Sequence, residues 1–202
     1  MSSSIQQSTA SREAHAARDL AGYLQCFDQA LPPALCAQMI DSFEKLARLH
    51  TRNGRGVMPQ LNQSSWTELN VSKVADADTV NFFRGQVFQY LNRYNEQLKL
   101  TLPIPPRDRI ENLRIKRYFV EGGDQFQPHF DAQDHTSNRY MVFIWYLNDV
   151  ARGGETDFPD LGVRIGAKAG RLLMFPPYWL FQHAGLPPKS NDKYIISTYL
   201  LF

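Results

Sequence analysis

The sequence is poor in the features that mark several classes of protein. It has two cysteines, Cys26 and Cys36, among 202 residues, too few for a disulfide scaffold or a cysteine-rich zinc site. Because unpaired cysteines are typical of a reducing compartment, we expect a cytoplasmic protein. No run approaches the roughly 18 apolar residues of a membrane span. The first residues also lack the apolar region of a secretory signal, so we expect neither anchor nor signal.

An excess of charge of one sign is also missing. The chain has 22 Lys and Arg against 20 Asp and Glu, a net charge of +2. This balance indicates no basic surface for nucleic acid or anionic membrane, and we expect neither partner. Apolar residues make up 43% of the chain, which argues against disorder. Histidine is scarce, with five residues, so the position of each one matters.

The pattern changes twice along the chain. Residues 1–18 are rich in Ser, Gln and Ala and predict a flexible tail, followed by a single domain over 19–202. In its first part, 19–105, helices are predicted from Pro32-Pro33 and over about 77–99, with a loop at 50–63. The second part, 106–202, consists of short β-type runs separated by Gly, Pro, Asn and Asp. This order predicts an α+β fold, mainly β, in which helices pack on one face of a sandwich or barrel.

Two histidines and an aspartate form the candidate metal site. His129 and Asp131 are two residues apart, so on a strand their side chains share a face. A His-x-Asp pair arises by chance about one time in three in such a composition, so a third ligand is needed. His183 lies in a later β-type run. Two imidazoles and one carboxylate leave three positions open, which suits Fe(II) better than zinc; the alternative is ordinary histidines near strand ends.

Lys193 is a candidate anion-binding residue. On a strand it shares a face with Ser197 and Tyr199. A lysine that faces a β-structure interior is costly unless it meets an anion, which a carboxylate-bearing cosubstrate would supply. The alternative is a solvated lysine at the start of a strand.

The segment from Leu113 to Leu201 resembles the 2-oxoglutarate- and Fe(II)-dependent dioxygenases, and among them the prolyl 4-hydroxylase-like group. The matching motifs, in the same order and spacing, are RYFVEGGDQFQPHFD, RYMVFIWYLN, GGETDFP, GRLLMF and HAGLPPKSNDKYIIS. The resemblance implies a double-stranded β-helix (jelly roll) core over 106–202 with N-terminal supporting helices. It also implies hydroxylation of an unactivated C–H bond by O2, coupled to decarboxylation of 2-oxoglutarate to succinate and CO2, with ascorbate as a candidate reductant.

The resemblance further assigns roles to individual residues. It implies that Fe(II) binds to His129, Asp131 and His183, and that Lys193 pairs with the distal carboxylate of 2-oxoglutarate. It places Tyr146, Ser197 and Tyr118 beside the cosubstrate, and Arg139 near the substrate. Two positions depart from the family: Phe126 stands where a tyrosine is usual, and Tyr199 where a tryptophan is common. Both departures leave the substrate class open.

Further residues are candidates for the substrate side of the site. Arg114 and Lys116 share a strand face with Tyr118, and we expect one of them to contact an anionic or carboxylate-bearing substrate; the alternative is that both lie in water. Trp179 and Phe181 are expected in the core, with a substrate wall as the alternative.

Three functions remain open from the sequence. The substrate is a peptidyl residue such as proline, or a free amino acid or other small metabolite. The third reading is a non-catalytic β-roll that binds metal or another ligand, against which the triad and Lys193 argue. Aromatic residues of the first half are candidates for a homodimer interface.

Overall fold

The computed structural model describes residues 19–58 and 60–202, so the predicted tail at 1–18 lies outside the described residues. The helices are α1 (Pro33–Lys45), α2 (Val71–Val74) and α3 (Ala77–Leu98). The strands are β1 (Gln25–Phe27), β2 (Thr51–Gly54), β3 (Ser65–Asn70), β4 (Arg114–Tyr118), β5 (Phe126–His129), β6 (Arg139–Tyr146), β7 (Thr156–Phe158), β8 (Val163–Ile165), β9 (Leu172–Phe175), β10 (His183–Gly185) and β11 (Lys193–Leu201). In the described ranges, no helix has the length and apolarity needed to cross a bilayer.

The strands form two antiparallel sheets. The larger has seven strands in the order β1-β9-β6-β11-β4-β3-β2, and the smaller has four in the order β5-β10-β7-β8. This arrangement confirms the predicted mainly β fold, in which an N-terminal helical part supports a sheet.

The interior strand β6 of the large sheet separates two hydrophobic cores. Its alternate residues Phe143 and Trp145 belong to the core shared with the helices, whereas Ile144 and Tyr146 belong to the core between the sheets. Because both faces of β6 are covered, its sequence is a nearly continuous apolar run rather than an alternating one.

Helix α3 covers the outer face of the large sheet, as predicted. Asp76 caps the helix by accepting a hydrogen bond from the backbone N–H of Thr79 at 2.7 Å, which satisfies one of the free donors of the first turn. The apolar stripe of α3 is buried, and Phe83 packs edge-on against Trp145 with ring centroids 5.4 Å apart. The helices thus stabilise the sheet on one side and leave its other side to the site.

The loop predicted for 50–63 is wrong in its first part, where β2 pairs with β3 at the edge of the large sheet. Its residues are mostly exposed, so they carry no hydrophobic alternation that would indicate a strand. The turn needs a glycine at Gly54, whose φ is +89° and where a Cβ would lie 2.2 Å from the Ser64 carbonyl oxygen. Arg52 anchors this hairpin through a bidentate ion pair with the fully buried Asp124.

Candidate active site

The three predicted metal ligands meet between the two sheets, at one end of the small sheet. His129 ends β5 and His183 begins β10, and the two residues face each other as a cross-strand pair. Asp131 follows β5, and its backbone N–H donates to the Pro177 carbonyl at 3.0 Å. The segment that leads to His183 therefore also holds Asp131. The ligand atoms of the three residues all lie within 4.8 Å of one another.

Backbone carbonyls fix the tautomer of both imidazoles. His129 Nδ1 lies 2.8 Å from the Gln127 carbonyl oxygen, and His183 Nδ1 lies 3.1 Å from that of Phe181. Because a carbonyl only accepts, Nδ1 carries the proton and Nε2 presents its lone pair to the site. Burial lowers the pKa of His183 to about 4, so at neutral pH its imidazole is uncharged, as a metal ligand must be.

Asp131 supplies the observation that tests the fit of a metal. Its Oδ1 accepts a hydrogen bond from the Tyr199 hydroxyl at 2.8 Å. Its Oδ2 is buried, lies 3.5 Å from His183 Nε2, and has no hydrogen-bond partner in the described part of the chain. A buried carboxylate oxygen without a partner is costly, and a cation held by Asp131 and the two histidines would satisfy it. The donor set therefore fits Fe(II).

Asp131 is ionised in spite of its burial. Burial alone would raise the pKa of this carboxyl, but its interactions with His183, His129 and Arg139 outweigh burial and hold the pKa well below its ordinary value. Arg139 is itself held by a bidentate pair with Glu111, with both nitrogen–oxygen distances 2.8 Å. Its guanidinium also lies 3.8 Å from the ring centroid of Tyr199. Arg139 thus braces the metal ligand, and its predicted contact with substrate stays a prediction.

Lys193 lines the same cavity as the three metal ligands. This lysine is 2% exposed, so the alternative of a solvated strand-start residue is wrong. Its Nζ lies 5.3 Å and 5.5 Å from the ring centroids of Tyr118 and Tyr146, and in the described ranges it has no carboxylate within 4.0 Å. Burial lowers its pKa to about 7. A buried amine without a counterion marks a place where an anion binds.

Hydroxyl groups surround this anion site, and one of them is a residue that sequence analysis missed. Thr156 of β7 is buried, lines the cavity and lies 2.7 Å from the Tyr146 hydroxyl. The GGETDFP motif contained Thr156, but a three-residue strand gave no alternation that would show its direction. Tyr118 and Ser197 line the cavity, whereas Tyr146 contacts the lining residue Thr156. The predicted roles of these three residues beside the cosubstrate stay predictions.

The two basic residues expected near the substrate have different surroundings. Arg114 pairs with Glu68 at 2.5 Å and does not line the cavity. Lys116 does line it, together with the three metal ligands, so the alternative of both residues in water does not hold for Lys116. Phe126 stacks on His129 with ring centroids 3.8 Å apart and forms the wall beside Lys116.

The two aromatic residues before His183, Trp179 and Phe181, differ in burial. Phe181 is buried, which confirms the core interpretation for it. Trp179 is 64% exposed, so the core interpretation is wrong for Trp179 and its role in a substrate wall stays a prediction. The prediction for Trp179 was wrong because it assumed a strand, whereas Trp179–Phe181 forms a 3-10 turn.

Comparison with known proteins agrees with this geometry. Residues 113–201 match the family model of the 2OG-Fe(II) oxygenase superfamily. The chain is 30% identical over 109 residues to human prolyl 4-hydroxylase subunit alpha-1. The alignment covers 45% of this chain and 20% of that protein. The chain thus spans about a fifth of the length of that curated relative.

Solved structures share the fold. The viral collagen prolyl hydroxylase of Paramecium Bursaria Chlorella virus-1, solved as its 2OG complex, aligns with a TM-score of 0.63 at 22% identity, over 88% of this chain and 94% of that one. The Trichoplax adhaerens prolyl hydroxylase, solved with a hypoxia inducible factor peptide fragment, aligns with a TM-score of 0.69 at 14% identity, over 89% and 84%. These structures show that the chain shares their fold, and residues 113–201, which contain the His–Asp–His site, are similar to the 2OG-Fe(II) oxygenase superfamily.

Proposed function

We propose that the chain is a dioxygenase that hydroxylates a prolyl residue, using Fe(II), 2-oxoglutarate and O2. The observation that carries this proposal is the pairing of two unsatisfied groups in one cavity. Among the described residues, the buried Oδ2 of Asp131 beside His183 Nε2 has no hydrogen-bond partner, and the buried amine of Lys193, which lines the same cavity, has no carboxylate within 4.0 Å. A ligand that chelates a metal at one end and carries a carboxylate at the other fits both groups.

The protein residues have separate tasks in this reaction. His129, Asp131 and His183 would hold Fe(II), and three protein ligands would leave coordination positions for the cosubstrate and O2. Lys193 binds the distal carboxylate of 2-oxoglutarate, while Thr156 and Ser197 offer hydroxyl groups beside it. The apolar walls keep water away from the reacting atoms.

When bound, the iron supplies the oxidising chemistry, in which 2-oxoglutarate is decarboxylated to succinate and CO2 and one oxygen atom is inserted into a C–H bond. The chain contributes orientation. Tyr199 and Arg139 fix the Asp131 carboxylate so that Oδ2 points at the metal position.

The relatives favour a prolyl substrate in a peptide, since human prolyl 4-hydroxylase subunit alpha-1 and the Trichoplax complex with a peptide fragment are both prolyl hydroxylases by name. A free amino acid is the second candidate, and the unpaired Lys116 in the cavity favours it. We also propose a reducing, cytoplasmic setting, which the two free cysteines support.

Turnover assays test the proposal. The purified chain with Fe(II) and 2-oxoglutarate is incubated with proline-containing peptides and with free amino acids. Succinate and products heavier by one oxygen atom are then measured. We expect both with the wild type and neither with His129→Ala, while the exposed-lysine variant Lys45→Met behaves as the wild type. A wild type that forms no succinate and holds no metal would support the non-catalytic binder instead.

A further inference from the structure

Lys116 is a cation in the cavity that the proposed reaction does not use. It lies in the middle of β4, where its cross-strand neighbours are Glu68 of β3 and Ile195 of β11. Its ammonium group lies 5.8 Å from the ring centroids of both Trp66 and Phe126. Within residues 19–58 and 60–202, no carboxylate oxygen lies within 4.0 Å of it.

The nearby carboxylates are engaged by other residues. Glu68 accepts hydrogen bonds from Arg114 at 2.5 Å and from the Trp66 indole at 3.0 Å. Glu111 uses both of its oxygens for Arg139. Burial lowers the pKa of Lys116, although Glu68 and Asp131 partly offset it. The protein itself therefore leaves this amine without a counterion.

Fe(II) and 2-oxoglutarate do not supply a counterion for Lys116 either. The two positive charges of Fe(II) and the one of Lys193 are matched by the single negative charge of Asp131 and the two of 2-oxoglutarate. Glu155, whose charge partly offsets the fall in the pKa of Lys193, is not among the residues that line the cavity. Among the lining residues, protonated Lys116 then has no negative charge to match it. Buried charges are normally paired, so a third ligand with one negative charge would complete the site.

Lys116 is a neighbour of the cosubstrate anchor, near enough for its charge to help lower the pKa of Lys193, but it occupies a different position on the sheet. Lys116 and Tyr118 are two residues apart on one face of β4, which is about 7 Å along the strand, and Tyr118 is the cross-strand partner of Lys193. Lys116 instead adjoins a wall of rings that runs outward from the metal ligand His129. Phe126 stacks on His129 at 3.8 Å and Trp66 stacks on Phe126 at 4.7 Å.

We propose that Lys116 binds a carboxylate of the substrate and so selects a proline that carries a carboxylate close to its ring. This carboxylate is either the α-carboxylate of free proline or the acidic side chain of the next residue in a peptide. The inference rests on the proposed function and deepens it by naming the substrate class.

Matched pairs of compounds test the inference. L-proline is compared with L-prolinamide, and a capped peptide containing Pro-Glu is compared with its Pro-Gln counterpart. Dissociation constants are measured by calorimetry with Mn(II) in place of Fe(II) and with 2-oxoglutarate present, and initial rates are measured with Fe(II). We expect the wild type to prefer the carboxylate member of one pair, and the identity of that pair gives the source of the carboxylate.

The Lys116→Met variant should lose about 10- to 100-fold of this preference, the range expected for a hydrogen bond to a charged group. Its dissociation constant for 2-oxoglutarate should stay within about twofold of the wild type. Lys116→Arg should retain part of the preference, and Lys45→Met, at an exposed lysine of α1, should retain all of it. Thermal unfolding shows whether each variant is folded.

Two results would overturn the inference. One is a wild type that binds the acid and amide members of both pairs equally. The other is a Lys116→Met variant that binds 2-oxoglutarate more weakly and keeps its substrate preference, since Lys116 would then serve the cosubstrate. A wild type that forms no succinate would instead refute the proposed function, and the calorimetric comparison would still decide the role of Lys116.

Discussion

Replacing Lys193 with methionine should stabilise the metal-free protein and abolish tight binding of 2-oxoglutarate. Lys193 is 2% exposed and lacks a carboxylate partner within the described ranges. Its ammonium group therefore costs free energy in the folded chain, and an anion offsets that cost only when bound. Methionine keeps most of the side-chain length without the charge.

The size of this effect follows from the pKa of Lys193, which burial lowers from 10.5 to about 7. At about 1.4 kcal/mol per pH unit, this fall corresponds to at most about 5 kcal/mol. The folded pKa lies below the unfolded value, so between pH 7 and 10.5 the unfolded chain binds more protons. Wild-type stability therefore rises with pH across this window. Below pH 7 the folded chain bears the full free-energy cost of the buried ammonium group.

Chemical unfolding of the metal-free wild type and Lys193→Met at two pH values provides the assay. At pH 6 we expect the variant to be more stable than the wild type by up to about 5 kcal/mol. At pH 9 this difference in stability should be smaller by about 3 kcal/mol. Its dissociation constant for 2-oxoglutarate should rise about 100-fold. Lys45→Met is the control, with neither effect. A variant that is less stable than the wild type at pH 6, or an advantage that does not change with pH, would refute the reasoning.

Three further substitutions test other contacts. Tyr199→Phe removes the hydrogen bond to Asp131 Oδ1 and should weaken metal binding about 10-fold, measured by Mn(II) calorimetry; unchanged affinity would show that the hydroxyl does not position the ligand. Arg52→Met leaves the buried carboxylate of Asp124 without its ion pair and should lower the free energy of unfolding by about 3 kcal/mol, whereas an unchanged midpoint in urea would contradict this. Gly54→Ala forces a Cβ against a backbone carbonyl at a φ of +89° and should destabilise by more than about 1 kcal/mol, seen as a lower melting temperature; an unaltered melting temperature would contradict the strain argument.

The fold could be predicted where burial imposes a period on the sequence. The apolar stripe of α3 indicates a helix with one buried face, and the continuous apolar run of β6 indicates a strand that is buried on both faces. Strand β2 escaped prediction because it lies at a sheet edge with most of its residues exposed. Trp179 was misassigned because apolar side chains in a 3-10 turn are compatible with either core or surface.

The sequence by itself determined the chemistry of the metal site. The two-residue spacing of His129 and Asp131 places them together on any extended backbone. His183 and Lys193 were candidates from their own positions in β-type runs, and the family resemblance assigned their roles. Only the tertiary structure decided which charges are free. Arg114, Lys116 and Arg139 are all basic, and the sequence does not show which of them has an acidic partner. In the structure, Glu68 pairs with Arg114 and Glu111 pairs with Arg139. Those pairs join residues far apart in the chain, so Lys116 emerges as the unpaired cation only when the strands are brought into register.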